Sequence, residues 1–188
     1  MRQELRRQFI HFSFGSAFIG LAALQGVELT RIVLILVFAV GLVFSHLIKR
    51  GVKIPLFFQV VQRVERDYER HLPGKGALLF FLGAIALMVL FQERMTVLGA
   101  LCVAVYGDAA STVFGIRFGK HPLVGKKTAE GTVAGIAVSF LFLQLLFPMH
   151  IAFAAAAIGM LAELLPWDDN FTIPLATAVT LRILLNFP

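Results

Sequence analysis

Val97-Leu-Gly-Ala-Leu-Cys-Val-Ala-Val-Tyr-Gly-Asp108-Ala-Ala-Ser-Thr-Val-Phe-Gly115 decides the fold, because it carries one charge in nineteen residues. A helix needs about 20 mostly apolar residues to cross a bilayer, and about 17–25 are tolerated. Six further segments approach that length: Phe9–Val27, Ile32–Ile48, Gly76–Phe91, Thr132–Phe147, Ile151–Leu165 and Phe171–Phe187. Several are short, which requires tilt or a locally thinned bilayer. The whole chain agrees with this reading. Of its 188 residues 59% are hydrophobic and 15% charged, with mean hydropathy +0.85, whereas a soluble domain is about 45–50% apolar and about 25% charged. The sequence therefore predicts an all-α, polytopic integral membrane protein with about seven transmembrane helices. No repeat, low-complexity stretch or linker divides it, so residues 1–188 read as a single transmembrane domain.

The formal net charge is +6. In so apolar a chain this excess reports loop orientation and anionic membrane lipids, not nucleic acid. Arg2, Arg6 and Arg7 precede the first span; Lys49, Arg50, Lys53, Arg63, Arg66, Arg70 and Lys75 lie in the second connection; Arg117, Lys120, Lys126 and Lys127 lie in the fourth. With cations retained in the cytoplasm, seven crossings put the N-terminus inside, the C-terminus outside and these loops on the cytoplasmic face. Within the second connection, Phe57, Val61, Val64, Tyr68 and Leu72 recur at helical spacing. They predict an amphipathic helix in the cytoplasmic interface, serving as an anchor or as a gate for lipid. The lone Cys102 excludes a disulfide within the chain and reads as a packed side chain.

Ionisable groups inside apolar spans are expensive and mark function by default. Asp108 shares a helical face with Ser111, Thr112, Gly115 and Gly119. A seam of small residues for helix packing accounts for those glycines but not for the carboxylate. Downstream runs Arg117-Phe-Gly-Lys-His-Pro-Leu-Val-Gly-Lys-Lys-Thr-Ala-Glu-Gly-Thr132. Glycines let backbone amides approach phosphate oxygens, and lysines supply point charges to them. Asp and Glu suit Mg²⁺, which binds through one or two carboxylates plus substrate phosphates. Thr128, Glu130 and Gly131 stand where the fifth span begins, and helix N-termini favour anions. The run is not a Walker A loop, since its spacing differs and no strand precedes it.

Two clusters are predicted on the same side. Trp167-Asp-Asp-Asn170 joins the last two spans, with Glu163 one turn earlier; it reads as a metal or proton site, or as a solvated turn. Glu4, Arg7 and His11 share a face of the first helix. The histidines lack metal-ligand spacing. Gly131, Gly135 and Ser139 form a small-residue seam that packs either within one chain or between the copies of a homodimer.

Gly107-Asp-Ala-Ala-Ser-Thr112, Gly115, Phe118-Gly-Lys120 and Lys127-Thr-Ala-Glu-Gly-Thr132 resemble the signature of the CTP-dependent lipid kinases. These are dolichol (polyprenol) kinase, phytol kinase and yeast-type diacylglycerol kinase, distant relatives of phosphatidate cytidylyltransferase. Asp168-Asp-Asn-Phe-Thr-Ile-Pro174 resembles the family's C-terminal element, and Glu4, Arg7 and His11 resemble its N-terminal pattern, with Gln8 where the family often has Lys. The resemblance implies an enzyme that moves the γ-phosphoryl of CTP to a polyprenol- or dolichol-like alcohol drawn from the bilayer, with Mg²⁺. It implies Mg²⁺ on Asp108 and Glu130, and phosphates on Lys120, Lys126 and Lys127. It implies further nucleotide contacts by Gly107, Ser111, Thr112, Gly115, Gly119, Thr128, Gly131 and Asn170. Asp168 or Asp169 would be second ligand or base, and Arg7 would neutralise charge. The rivals within this resemblance are a cytidylyltransferase acting on a lipid phosphate and a CTP-dependent diacylglycerol kinase, and the rival outside it is a small transporter.

Overall fold

In the computed structural model residues 2–52 and 73–186 are described, with side chains from Glu4 onward. The predicted amphipathic stretch Phe57–Leu72 lies outside the described residues. Helix α1 (Arg2–Gln25) turns sharply into α2 (Val27–Lys49) at Gly26, whose φ of 90° and ψ of 171° suit glycine alone. Helix α3 (Lys75–Leu90) leads to a continuous rod made of α4 (Arg94–Cys102), a π-helical turn (Val103–Gly107) and α5 (Asp108–Phe118). Helix α6 (Ala129–Leu143) follows a loop, then α7 (Met149–Leu161) with a 3₁₀ turn (Ala162–Leu164), and α8 (Asp169–Asn186). The described residues are all-helical, without a β-strand.

The helices Val27–Lys49 and Arg94–Phe118 are long and apolar enough to cross a membrane. Lys75–Leu90, Ala129–Leu143 and Met149–Leu164 are apolar but shorter. The α4–α5 rod is the centre of the bundle, and two cores meet along it. Leu34, Leu87, Met88, Val97 and Leu101 pack α2 and α3 against α4. Val103, Leu143, Ile151, Met160, Ile173 and Leu181 pack α6, α7 and α8 against the π turn. Arg182, expected inside the last span, pairs with Glu93 at the start of α4.

Close backbone approach holds the rod to its neighbours. A methyl group on Gly107 would collide with Ser139 Oγ and stand 2.7 Å from Met160 Sδ. One on Gly135 would stand 3.0 Å from the Gly107 carbonyl oxygen and 2.5 Å from Met160 Cε. The seam Gly131, Gly135, Ser139 is therefore used within the chain, between α6 and the rod. Helix α8 meets α3 in the same manner. Pro174 offers no N–H to the Asn170 carbonyl four residues earlier, and that carbonyl abuts Gly83, where a side chain would collide with it.

Gly107→Val should therefore destabilise the bundle by about 1–3 kcal/mol through overpacking. Gly20 has open space around it, so Gly20→Ala should stabilise its helix by about 0.5–1 kcal/mol. Thermal unfolding of the two variants in one detergent would show opposite shifts. Equal shifts would remove the packing argument.

Candidate functional site

The site is built around the Lys127 ammonium. Its loop is a tight excursion: Leu123 N donates to Lys127 O at 2.9 Å, Lys127 N to Val124 O at 2.9 Å, and Ala129 N to His121 O at 2.9 Å. Gly125 takes the positive φ (59°) that the reversal requires. So held, Lys127 Nζ lies 2.7 Å from Asp169 Oδ2, 2.9 Å from Glu163 Oε2 and 3.6 Å from Asp108 Oδ1. Burial disfavours its charge, but Asp108, Asp169 and Glu163 outweigh this and hold the ammonium well above the ordinary lysine value. Three carboxyl groups thus converge on one ammonium.

Each carboxylate is aimed by its own element. Glu163, whose side chain is fully buried, accepts from Ser111 Oγ (2.9 and 3.1 Å) and from Thr132 Oγ1 (2.6 Å). Asp108 follows the π turn and accepts from Gln8 Nε2 at 3.1 Å. The same Gln8 nitrogen donates to Thr112 Oγ1 at 2.9 Å. In the π turn the Asp108 amide reaches back to Val103 O, five residues away, which frees the Ala104 carbonyl. His11 Nε2 lies 3.4 Å from that carbonyl, with its ring edge-on to Phe80. Asp169 opens α8, and burial raises its carboxyl above the ordinary aspartate value against the pull of Lys127.

Of the predicted residues, the structure gathers Asp108, Ser111, Thr112, Lys127 and Asp169. It gives Asp168 and Asn170 to the helix start: Asp168 Oδ1 accepts from Asn170 N (3.1 Å) and Nδ2 (2.7 Å), a side-chain cap. Glu130 departs from its expected partnership with Asp108. It accepts from Lys120 N (3.1 Å), His121 N (3.3 Å) and the His121 ring (2.6 Å), and so closes the loop. Bonds from its own amide, the His121 ring and the Lys120 amide hold its carboxyl down at about 2. Among the described residues it shares no partner with Asp108. Thr128 Oγ1 accepts from Gly131 N at 3.2 Å as the α6 cap, and Gly115, Gly119 and Gly131 close tightly around it. These four make a helix joint. Lys120 and Lys126 are solvent-exposed. Arg7 pairs with Glu4, Nε to Oε1 at 2.9 Å.

Two site residues, Glu163 and Gln8, are named in the sequence reading without a role of their own. Glu163 announces itself as a carboxylate in an apolar run, the signal that found Asp108. Gln8 carries no charge and gives no comparable signal.

An uncharacterized protein of Methanocaldococcus jannaschii is 27% identical over 187 residues, 98% of this chain and 95% of the relative. No family model and no solved structure matches the chain.

Glu163→Ala removes the acceptor that Lys127, Ser111 and Thr132 share, leaving Lys127 to Asp169 and Thr132 to the Thr128 carbonyl, so it should cost about 1.5–3 kcal/mol of stability. Asp168→Ala removes a cap and should cost about 0.5–2 kcal/mol. Chemical denaturation in mixed micelles would rank the two. A Glu163→Ala protein as stable as Asp168→Ala would show that the cluster does not hold the bundle.

Proposed function

We propose that this chain is a membrane lipid kinase that transfers the γ-phosphoryl of CTP to an isoprenoid alcohol at the cytoplasmic membrane face. The observation that carries this reading is the convergence of Asp108, Glu163 and Asp169 on Lys127, all from segments remote in sequence. The sequence motifs around Asp108 and Lys127 supply the reaction class. In this reading the seven helical rods, α1, α2, α3, α4–α5, α6, α7 and α8, each cross or enter the bilayer. The basic loops stay in the cytoplasm, so the cluster receives nucleotide from water and alcohol from lipid.

The donor set suits Mg²⁺. Asp108 and Asp169 offer hard oxygens, and the described residues hold no group of three His, Cys, Asp or Glu arranged to take an ion by themselves. Mg²⁺ bound through one or two carboxylates plus substrate phosphates needs no such cage. Asp108 is assigned as its ligand. The ion would neutralise charge on the phosphate oxygens. Lys127 carries the remaining positive charge to the transferring phosphoryl, since such transfer needs mainly positioning and neutralisation. Glu163, bonded to Ser111, Thr132 and Lys127, is a positioning residue.

The alcohol oxygen attacks the γ-phosphorus, and the bond from that phosphorus to the β–γ bridging oxygen breaks, releasing CDP. The alcohol proton passes to Asp169, whose raised basicity suits the task. Asp168, occupied as a helix cap, is relieved of that role.

Incubation of the solubilised chain with γ-³²P-labelled CTP, Mg²⁺ and a panel of lipid alcohols tests the reading. Label should appear on an isoprenoid alcohol, with CDP as coproduct. Asp108→Asn should lower kcat by a factor on the order of 10²–10³, and Asp169→Asn should do the same while Asp168→Asn does not. Lys127→Ala should lower kcat as well as raise the KM for CTP, and should destabilise the bundle by leaving its three carboxylate partners without their cation. Pyrophosphate formed from CTP and a lipid phosphate would replace the kinase by a cytidylyltransferase. Full activity in Asp108→Asn would end both.

A kcat that depends on Asp169 as base has a stated pH dependence. Activity should be lost as pH falls through the carboxyl's raised value, at a pH above the ordinary aspartate range. An acid limb within the ordinary range would assign the proton elsewhere.

A further inference from the structure

Gln8 uses only half of its hydrogen-bonding capacity, and it does so beside Asp108. It stands on α1, only 4% exposed, and its amide lies across one turn of α5. Nε2 donates to Asp108 Oδ2 at 3.1 Å and to Thr112 Oγ1 at 2.9 Å. Oε1 is buried and has no hydrogen-bond partner among the described residues. Turning the amide over does not cure this, because Oε1 would then face the Asp108 carboxylate, acceptor against acceptor. The buried Ser45 and Ser139 hydroxyls also lack a partner, but a hydroxyl rotates and can settle on a carbonyl of its own helix. The Gln8 amide is planar and held by both of its donated bonds, so its oxygen cannot turn away. A buried acceptor left in that state costs about 1–3 kcal/mol.

Resting on the kinase reading, which puts Mg²⁺ on Asp108, we infer that Gln8 is a cation-positioning residue: its nitrogen holds Asp108 while its Oε1 accepts from the hydration shell of the divalent cation that Asp108 binds. The distances allow it. Oε1 is about 2.2 Å from its own nitrogen across the amide, and so within about 5.3 Å of Asp108 Oδ2. In an octahedral Mg²⁺ shell a water stands about 3 Å from a neighbouring carboxylate oxygen. It donates over about 2.7 Å, which spans the gap. The chemistry selects the same partner. A carbonyl oxygen beside a carboxylate repels an anion, whereas Mg²⁺ keeps several waters when bound by protein, and their hydrogens need acceptors. The Asp108 side chain retains 13% exposure, so an ion has an approach to it. A lysine at position 8 could also donate to Asp108, but it would meet the ion with a like charge in place of an oxygen.

Binding of Mn²⁺ alone to the solubilised full-length chain, followed by loss of the free-ion EPR signal, tests the role without nucleotide or alcohol. One site is expected, lost in Asp108→Asn. Gln8→Leu should weaken it about tenfold. Gln8→Glu keeps an oxygen near the place of Oε1 and adds charge, so it should bind at least as tightly as the wild type. If Gln8 served only to aim Asp108, that order would reverse, because glutamate has no N–H to give and repels Asp108. Binding by Gln8→Glu no tighter than by Gln8→Leu, wild-type affinity in Gln8→Leu, or no Mn²⁺ on the wild-type chain would each overturn the inference. Should Gln8→Leu fail to fold, Gln8→Glu decides alone: wild-type affinity or better supports the role, and a tenfold loss overturns it. Gln92→Leu, at an exposed position, should leave the affinity unchanged. A chain that shows this Mn²⁺ pattern yet transfers no phosphate loses the kinase reading alone. An active chain whose Mn²⁺ affinity is indifferent to Gln8 loses this role alone.

Discussion

A single half-buried ammonium, Lys127, is the constraint that orders this bundle. Taking a charge out of water costs several kcal/mol, and only close, well-satisfied partners offset the cost. Lys127 has three, drawn from α5, from the 3₁₀ turn after α7 and from the start of α8. Glu163 is satisfied in turn by Ser111 and Thr132, one from each of the two helices flanking the lysine loop. For both hydroxyls to reach one carboxylate, α5 and α6 must lie almost in backbone contact. That is why Gly131 faces the Ser111 carbonyl and Gly135 faces Gly107. The glycines therefore serve the cluster at one remove: they set the distance at which its hydrogen bonds close.

How much of this was legible follows from where each signal lives. The helical class and Asp108 are visible because a carboxylate inside an apolar run is costly wherever it occurs. The face carrying Ser111 and Thr112 is visible because helical periodicity is local. Partnership across the chain is not. Glu163 meets Ser111 over 52 residues, and no spacing rule reaches that far. Asp168 and Asp169 are indistinguishable as neighbours in sequence, yet one caps α8 and the other enters the cluster, because successive residues of a helix point about 100° apart. Glu130 misled for the same reason. In sequence it lies beside the lysines, but in the fold its nearest donors are the Lys120 and His121 amides. On α1, the expected face of positions 4, 7 and 11 supplies His11, while position 8, on that same face by its i+4 relation to Glu4, reaches Asp108.

The π turn explains why the rod can serve two masters. An uninterrupted α-helix would consume the Ala104 carbonyl with the Asp108 amide. The wider turn bonds that amide to Val103 instead, and His11 lies against the freed oxygen. Widened turns of this kind recur at functional sites because they reorient the residues that follow. Here the residue that follows is Asp108, and the reorientation lets α4 keep its place in one core while α5 turns its polar face to α1 and α6.

The ratio of three carboxyl groups to one ammonium is what the proposed function builds on. A buried network that only held helices together would tend toward neutrality, because every uncompensated charge adds desolvation cost without a partner. Lys127 answers three carboxylates with one positive charge, and Arg7 brings none in net, being paired with Glu4. The nearest donor to Asp108 from α1 is the amide of Gln8, which orients the carboxylate without cancelling it. A lysine at position 8 would bring the group closer to neutral. Glutamine there donates to Asp108 without adding a positive charge. In the kinase reading, carboxyl groups so placed beside a basic loop would attract Mg²⁺ and the phosphates it carries.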